Sequence, residues 1–353
     1  MCNIVFAKSW HARTAPQALA GRMKRLTDAV LGRKYEILET IAREFDRGDS
    51  CPEIVYLGDS TILRVAHEDQ DKRSTAQMLA ADLSGKARVL ELSHGAYHMG
   101  IFYHMMSTFR ITRRQPRLMV IPINMRSFSP QWYLRPGWDF RAEIRLLNRY
   151  YRGQGLRTRY RRAPKDAGYE EIRVEYPLTN LRTIGEFEKL RLNKPDPSTP
   201  QEQRRRDLFI YFFLHPVSDG HPLLVKLRET VRLARTLHIG VLFYLTPINV
   251  QAALSSVGRE FDDYFSRNLA VVKNLLAEEK CIWIENGRWE GDDRRDDSVA
   301  CIDLSRALTG DCFFHTASID EHLNEKGRRY ISKEVEAVAS RLLAPADPAA
   351  PRD

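Results

Sequence analysis

Cysteine is scarce in this sequence and acid is outnumbered by base, and each shortage closes off a class of protein. The 353 residues include five cysteines (Cys2, Cys51, Cys281, Cys301, Cys312), an odd number at scattered positions with no CxxC pair. That pattern supports neither a disulfide framework nor a zinc knuckle. No apolar run approaches the ~20 residues that span a bilayer. The opening stretch MCNIVFAKSWHARTAPQALAGRMKRL puts its short apolar run before its charges, the reverse of a secretory signal, so the expected location is the cytoplasm. Internal repeats are absent. Asp and Glu total 46 against 55 Lys and Arg, a formal charge of +9 that favours anionic surfaces or substrates without identifying one. What remains is ordinary for a soluble globular chain: 43% hydrophobic and 29% charged residues, with length for one large domain or two modest ones.

The hydrophobic residues are grouped in a telling way. Leu19, Met23, Leu26, Val30 and Leu31 recur at helical spacing, predicting an N-terminal helical segment within residues 1–50. Five short apolar runs follow: IVYL (54–57), ARVLEL (87–92), RLMVIPIN (117–124), IGVLFYLTPIN (239–249) and KCIWIEN (280–286). Continuous runs of this kind suit strands buried on both faces of a parallel sheet. Helix-length segments separate them, which predicts an α/β fold, a flavodoxin-like three-layer sandwich around a mainly parallel five-stranded sheet. Its core is expected at 51–125 and 239–345. Residues 126–238 are too many for one crossover and read as a large insertion with a return helix, and the Pro/Ala-rich tail 346–353 reads as disordered.

Chemistry-bearing residues fall at the ends of those strands. In EIVYLGDSTIL (53–63) the first run stops on Gly58, Asp59 and Ser60, which holds Ser60 at the carboxyl edge of the sheet. A serine nucleophile needs a base and donors for an oxyanion. Gly95 follows the second run in LELSHGAY, Asn124 closes the third in VIPIN, and Asp320 and His322 lie in DEHLNEKG after the fifth. With YLGDS, SHGA, PIN and DEHLNEKG in this order, the chain resembles the SGNH hydrolases, also called GDSL esterases or lipases. The resemblance spans about residues 53–125 and 239–340. It implies Ser60 as nucleophile, His322 as general base, Asp320 as orienter, and an oxyanion hole of Ser60 N–H, Gly95 N–H and the Asn124 amide. It implies hydrolysis of an acyl or acetyl ester of a small molecule or glycan, with neither cofactor nor metal. The alternatives are an O-acyltransferase acting on a glycan or other alcohol with the same residues, and an inactive scaffold used for binding. Intact Ser60, Asn124 and His322 argue against the last. The oligomeric state is left open.

Two departures stand out. The aspartate commonly found three residues before the histidine is replaced by Ile319, with Asp320 one residue closer, and Thr61 stands where the motif usually has leucine. Rival constellations are weaker. Asp219 and His221 in VSDGHPLL copy the spacing of the last block but precede the fourth strand, where a helix cap is the simpler reading. His94 and His98 lie four apart without the intervening glutamate of a metalloprotease, and GDDRRDDS (291–298) reads as a solvated loop. The insertion carries nine basic residues against one acid between Arg141 and Lys165. Arg141, Arg145, Arg149 and Arg152 lie at helical spacing, as a solvated face or as a guide for an anionic substrate. Nothing in it matches a nucleic-acid module. SFSPQWYLRPGWDF (127–140) faintly resembles the SPQW stretch of D-alanyl transfer proteins. His94, Trp132, Arg145 and Arg149 are therefore the candidate substrate-binding residues.

Overall fold

The structure is a computed structural model, described for residues 36–47, 50–138, 140–151, 168–191, 200–285, 288–289, 298–315, 319 and 321–344. The tail 346–353, Asp320 and most of the N-terminal helical segment lie outside that set; of the segment, α1 (Glu36–Ala42) and the π-helical turn after it are described.

The strands are β1 (Ile54–Gly58), β2 (Val89–Ser93), β3 (Leu118–Ile123), β4 (Gly240–Leu245), β5 (Ile282–Glu285), β6 (Arg288–Trp289) and β7 (Val299–Asp303). They form one sheet in the order β2-β1-β3-β4-β7-β5-β6, parallel except for β6, which pairs antiparallel with β5. Among the described residues the parallel strands therefore number six, not the expected five. The addition is β7, whose VACID carries small residues and an acid in place of a long aliphatic run. It pairs with β4 on one side and with β5 on the other.

β1, β3 and β4 are buried on both faces, which explains their unbroken hydrophobicity. Val55, Leu57, Met119, Ile121, Val241 and Phe243 feed one core. Ile54, Tyr56, Val120, Leu242 and Tyr244 feed the other, where the Tyr56 and Tyr244 hydroxyls satisfy each other at 2.8 Å.

Helices cover both faces. α2 (Ser60–Leu63), α3 (Thr75–Asp82) and α12 (Glu325–Leu343) bury residues in the second core. α4 (Met99–Thr108), α5 (Pro130–Tyr133) and α6 (Arg141–Tyr151) contribute to the first, as do α7 (Ile184–Arg191), α8 (Gln201–Phe213), α9 (Pro222–Leu237), α10 (Val250–Val257) and α11 (Glu260–Glu278). Phe128, Trp132, Tyr176, Phe187 and Phe213 of the long 126–238 segment thus share one core with the sheet. No helix among the described residues is long and apolar enough to cross a membrane.

The strand order reverses between β1 and β3, the crevice where open α/β sheets bind ligands. These two strands stay paired only as far as Tyr56 and Val120. Pro122, which lacks an N–H, sits beyond that ladder, so its presence in a central strand costs no bond to β1. The parted strand ends carry Ser60 and Asn124.

Candidate active site

Gly58 is fixed by close approach: a Cβ there would meet Ile62 at 2.9 Å and the Ser93 Cβ at 3.0 Å. Asp59 then caps α2. Its Oδ1 accepts from the Thr61 N–H at 2.8 Å and the Thr61 hydroxyl at 2.6 Å. Thr61, the departure from the leucine of the motif, is buried and braces the cap with its hydroxyl. Ser60 is left as the first residue of α2, with its N–H among the orphan donors of a helix start.

The HLNEKG block can also be explained residue by residue. Leu323 is buried in the second core. Asn324 caps α12 by accepting from Gly327 N at 3.2 Å, and its amide donates to the Asp311 carbonyl at 2.7 Å. Gly327 passes so near Cys312 that a Cβ would lie 2.5 Å from the carbonyl oxygen. The Phe314 N–H donates to the His322 carbonyl at 2.9 Å. Fixed in this way, the buried His322 places Nε2 3.2 Å from Ser60 Oγ. In the tautomer protonated at Nδ1, the serine hydroxyl donates to Nε2.

Beneath this pair lies a buried polar cluster that the sequence pattern does not reveal. Asn124 Oδ1 accepts from Arg126 N at 3.0 Å, which fixes the amide orientation. Asn124 Nδ2 donates to Asp59 Oδ2 at 3.0 Å and, at 3.4 Å, to Glu321 Oε2. Arg126 Nη1 reaches the same Glu321 oxygen at 3.2 Å. The Arg126 guanidinium sits in the corner formed by the near-perpendicular rings of Trp132 (4.1 Å) and Phe212 (4.0 Å). Burial, opposed by Arg126 and reinforced by Asp59, pushes the Glu321 carboxyl up to about 7. Glu321 and Arg126 each lie within two residues of a motif residue, and that proximity is the only signal either leaves in the sequence.

The other candidates fall at varied distances from this centre. Gly95 is exposed in the turn after β2, and open space surrounds the position of a Cβ. Neighbouring Ala96 takes a left-handed φ of 66°. His94 is exposed, its ring 5.0 Å from that of Tyr97 and 6.1 Å from that of Phe140. Trp132 is buried against Arg126, which makes it a packing residue of the polar cluster, not an open pocket wall. Arg145 is exposed and Arg149 half-buried on α6, which packs on α4 and buries Leu146 and Leu147 in the first core. Arg152 lies outside the described residues. Among the described residues no cluster of His, Cys, Asp or Glu could hold a metal. His98 instead caps α4, its Nδ1 accepting from Gly100 N at 3.0 Å.

His221 caps α9. Its Nδ1 accepts from Leu223 N at 3.2 Å and its Nε2–H donates to the Phe128 carbonyl at 3.1 Å. Burial pushes its pKa down to about 4. The unfolded chain therefore binds the extra proton first, and stability is lost as pH falls from about 6.5 through 4, by ~3 kcal/mol from this group. His221→Ala should flatten that acid loss and lower stability at neutral pH by about 1–3 kcal/mol. Chemical denaturation at several pH values reads both.

No known protein-family profile matches the chain, and no curated protein matches it. Among solved structures it is similar to a variant of an acetyl-xylooligosaccharide esterase from Geobacillus, with a TM-score of 0.29 and 10% identity over 69% of this chain and 78% of that one. A likeness that slight carries no weight for function.

Proposed function

We propose that the protein is a serine esterase of the SGNH type, built as a flavodoxin-like three-layer sandwich, that cleaves an acyl or acetyl ester of a small molecule or glycan. The observation that supports this most is the 3.2 Å approach of His322 Nε2 to Ser60 Oγ, between residues 262 apart in sequence. A serine hydroxyl is a poor nucleophile until a base takes its proton, and a neutral imidazole at hydrogen-bond distance is such a base.

In this reading Ser60 Oγ attacks the ester carbonyl while His322 Nε2 accepts the hydroxyl proton. The carbonyl oxygen gathers the negative charge and is held by Ser60 N–H, Gly95 N–H and an amide hydrogen of Asn124. Collapse of the tetrahedral intermediate expels the alcohol, which leaves with the proton from His322. Water, deprotonated by the same imidazole, then frees the acid and restores Ser60. Asp320, two residues before His322, orients the ring and stabilises the imidazolium.

The test is hydrolysis of p-nitrophenyl acetate by the purified protein. Turnover should fall at least 10³-fold in Ser60→Ala with the fold retained by circular dichroism. Equal turnover in the variant would remove the nucleophile and the proposal with it.

A further inference from the structure

Asn124 Nδ2 carries two hydrogens, and three acceptors lie within their reach during the proposed reaction. Asp59 Oδ2 holds one at 3.0 Å, so Glu321 Oε2, at 3.4 Å, and the oxyanion compete for the other. The acceptor side of the amide is committed to Arg126 N, so Asn124 cannot turn over to resolve the competition. Glu321 is buried, and its Oε1 has no hydrogen-bond partner among the described residues. Among the described residues two charged groups face it. Arg126, on the turn after β3, is bonded to Oε2, and Asp59, on the turn after β1, adds negative charge. α5 and α8 contribute the Trp132 and Phe212 rings that hold Arg126, and His322, on the same loop as Glu321, is turned toward Ser60. The guanidinium thus pairs, among the described residues, with Glu321 alone, while both buried carboxylates, Asp59 and Glu321, reach the same amide.

We infer that Glu321 is a positioning residue that acts through Asn124: neutral, it leaves the second amide hydrogen to the oxyanion, and ionised, it claims that hydrogen and sets a negative charge beside the oxyanion. This rests on the serine-esterase reading above. The neutral carboxyl is the productive form, and charge developing on the substrate oxygen favours it further. Burial places the change between the two forms at about pH 7, within the range of ordinary assays. Like charges a few Å apart in a buried site are worth tenfold or more in rate, so kcat of the wild type should decline by about that factor between pH 7 and pH 9.

The experiment is the pH profile of kcat and KM for p-nitrophenyl acetate in the wild type, Glu321→Gln, Arg126→Met and Ser60→Ala. Glu321→Gln cannot ionise, and its kcat should stay level from pH 7 to pH 9 with KM unchanged, a result that a merely structural role would not give. Arg126→Met removes the cation that favours the ionised form and should move the alkaline decline to higher pH, which keeps the inference testable if Glu321→Gln fails to fold. A decline in Glu321→Gln that overlays the wild type, or an unmoved decline in Arg126→Met, would overturn the role of Glu321 while Ser60→Ala remains inactive. Activity surviving in Ser60→Ala would instead overturn the esterase reading, and this inference with it.

Discussion

Replacing His322 by alanine should lower kcat for a p-nitrophenyl ester by about 10⁴–10⁶, the loss expected when the base of a cooperating serine and histidine is removed. The size follows from the division of labour. Without an acceptor 3.2 Å from Ser60 Oγ, the hydroxyl must attack with its proton in place, as a far poorer nucleophile whose proton has no base to receive it when the tetrahedral intermediate forms. The fold should survive, because the backbone carbonyl of His322, not its ring, accepts from Phe314 N, and Asn324 and Gly327 anchor the turn independently. Steady-state kinetics with His221→Ala as the control decides the matter. If His221→Ala gives the large loss and His322→Ala does not, the roles of the two histidines are exchanged.

The largest expected effect on stability belongs to Arg328 on α12, whose side chain is 0% exposed. Its Nη1 pairs with Asp69 Oδ2 at 2.6 Å and donates to the Leu323 carbonyl at 2.9 Å. Its Nε and Nη2 donate to the carbonyls of Arg73 and Asp71 at 3.0 and 2.6 Å. The residue therefore ties the loop after α2 to the helix that follows His322. Arg328→Ala strands Asp69 without its cation and three carbonyls without a donor, and should cost about 3–5 kcal/mol. Because Leu323 is the next residue after His322, the loosened turn should also lower kcat by about a hundredfold in whatever protein remains folded. Arg328→Lys, which keeps the charge but not the fork of donors, should fall between. A loss under about 1 kcal/mol in urea titration would contradict this account of the loop.

The parts of the fold legible in the sequence are those governed by local pattern. Runs such as IVYL, RLMVIP and IGVLFYL announce strands because both faces are buried, and every residue must then be apolar. VACID is not visible in this way. Ala300 and Cys301 are small, Asp303 pairs with Lys273 at 2.5 Å, and an aspartate-rich stretch precedes it. Nor can a local pattern say which strand lies beside β4, since that depends on pairing across the sheet.

The same division runs through the site. Gly58, Asp59, Asn324 and Gly327 leave marks because a turn, a cap or a close approach demands one residue type at one spacing. Glu321 and Arg126 do not, for a buried ion pair between residues 195 apart depends only on tertiary contact. Trp132 is conspicuous as an aromatic near Asn124, yet only the fold reveals that its ring covers a guanidinium. Arg328, in EKGRRYIS, reads as one more surface base until the loop after α2 closes over it.

The central claim is that Ser60 is a nucleophile activated by His322. The most direct measurement is intact-protein mass after incubation with a fluorophosphonate, followed by peptide mapping of the adduct. The account predicts a single phosphonyl adduct on Ser60 in the wild type, strongly slowed in His322→Ala and absent in Ser60→Ala. An adduct on another residue, or one that survives in Ser60→Ala, would contradict it.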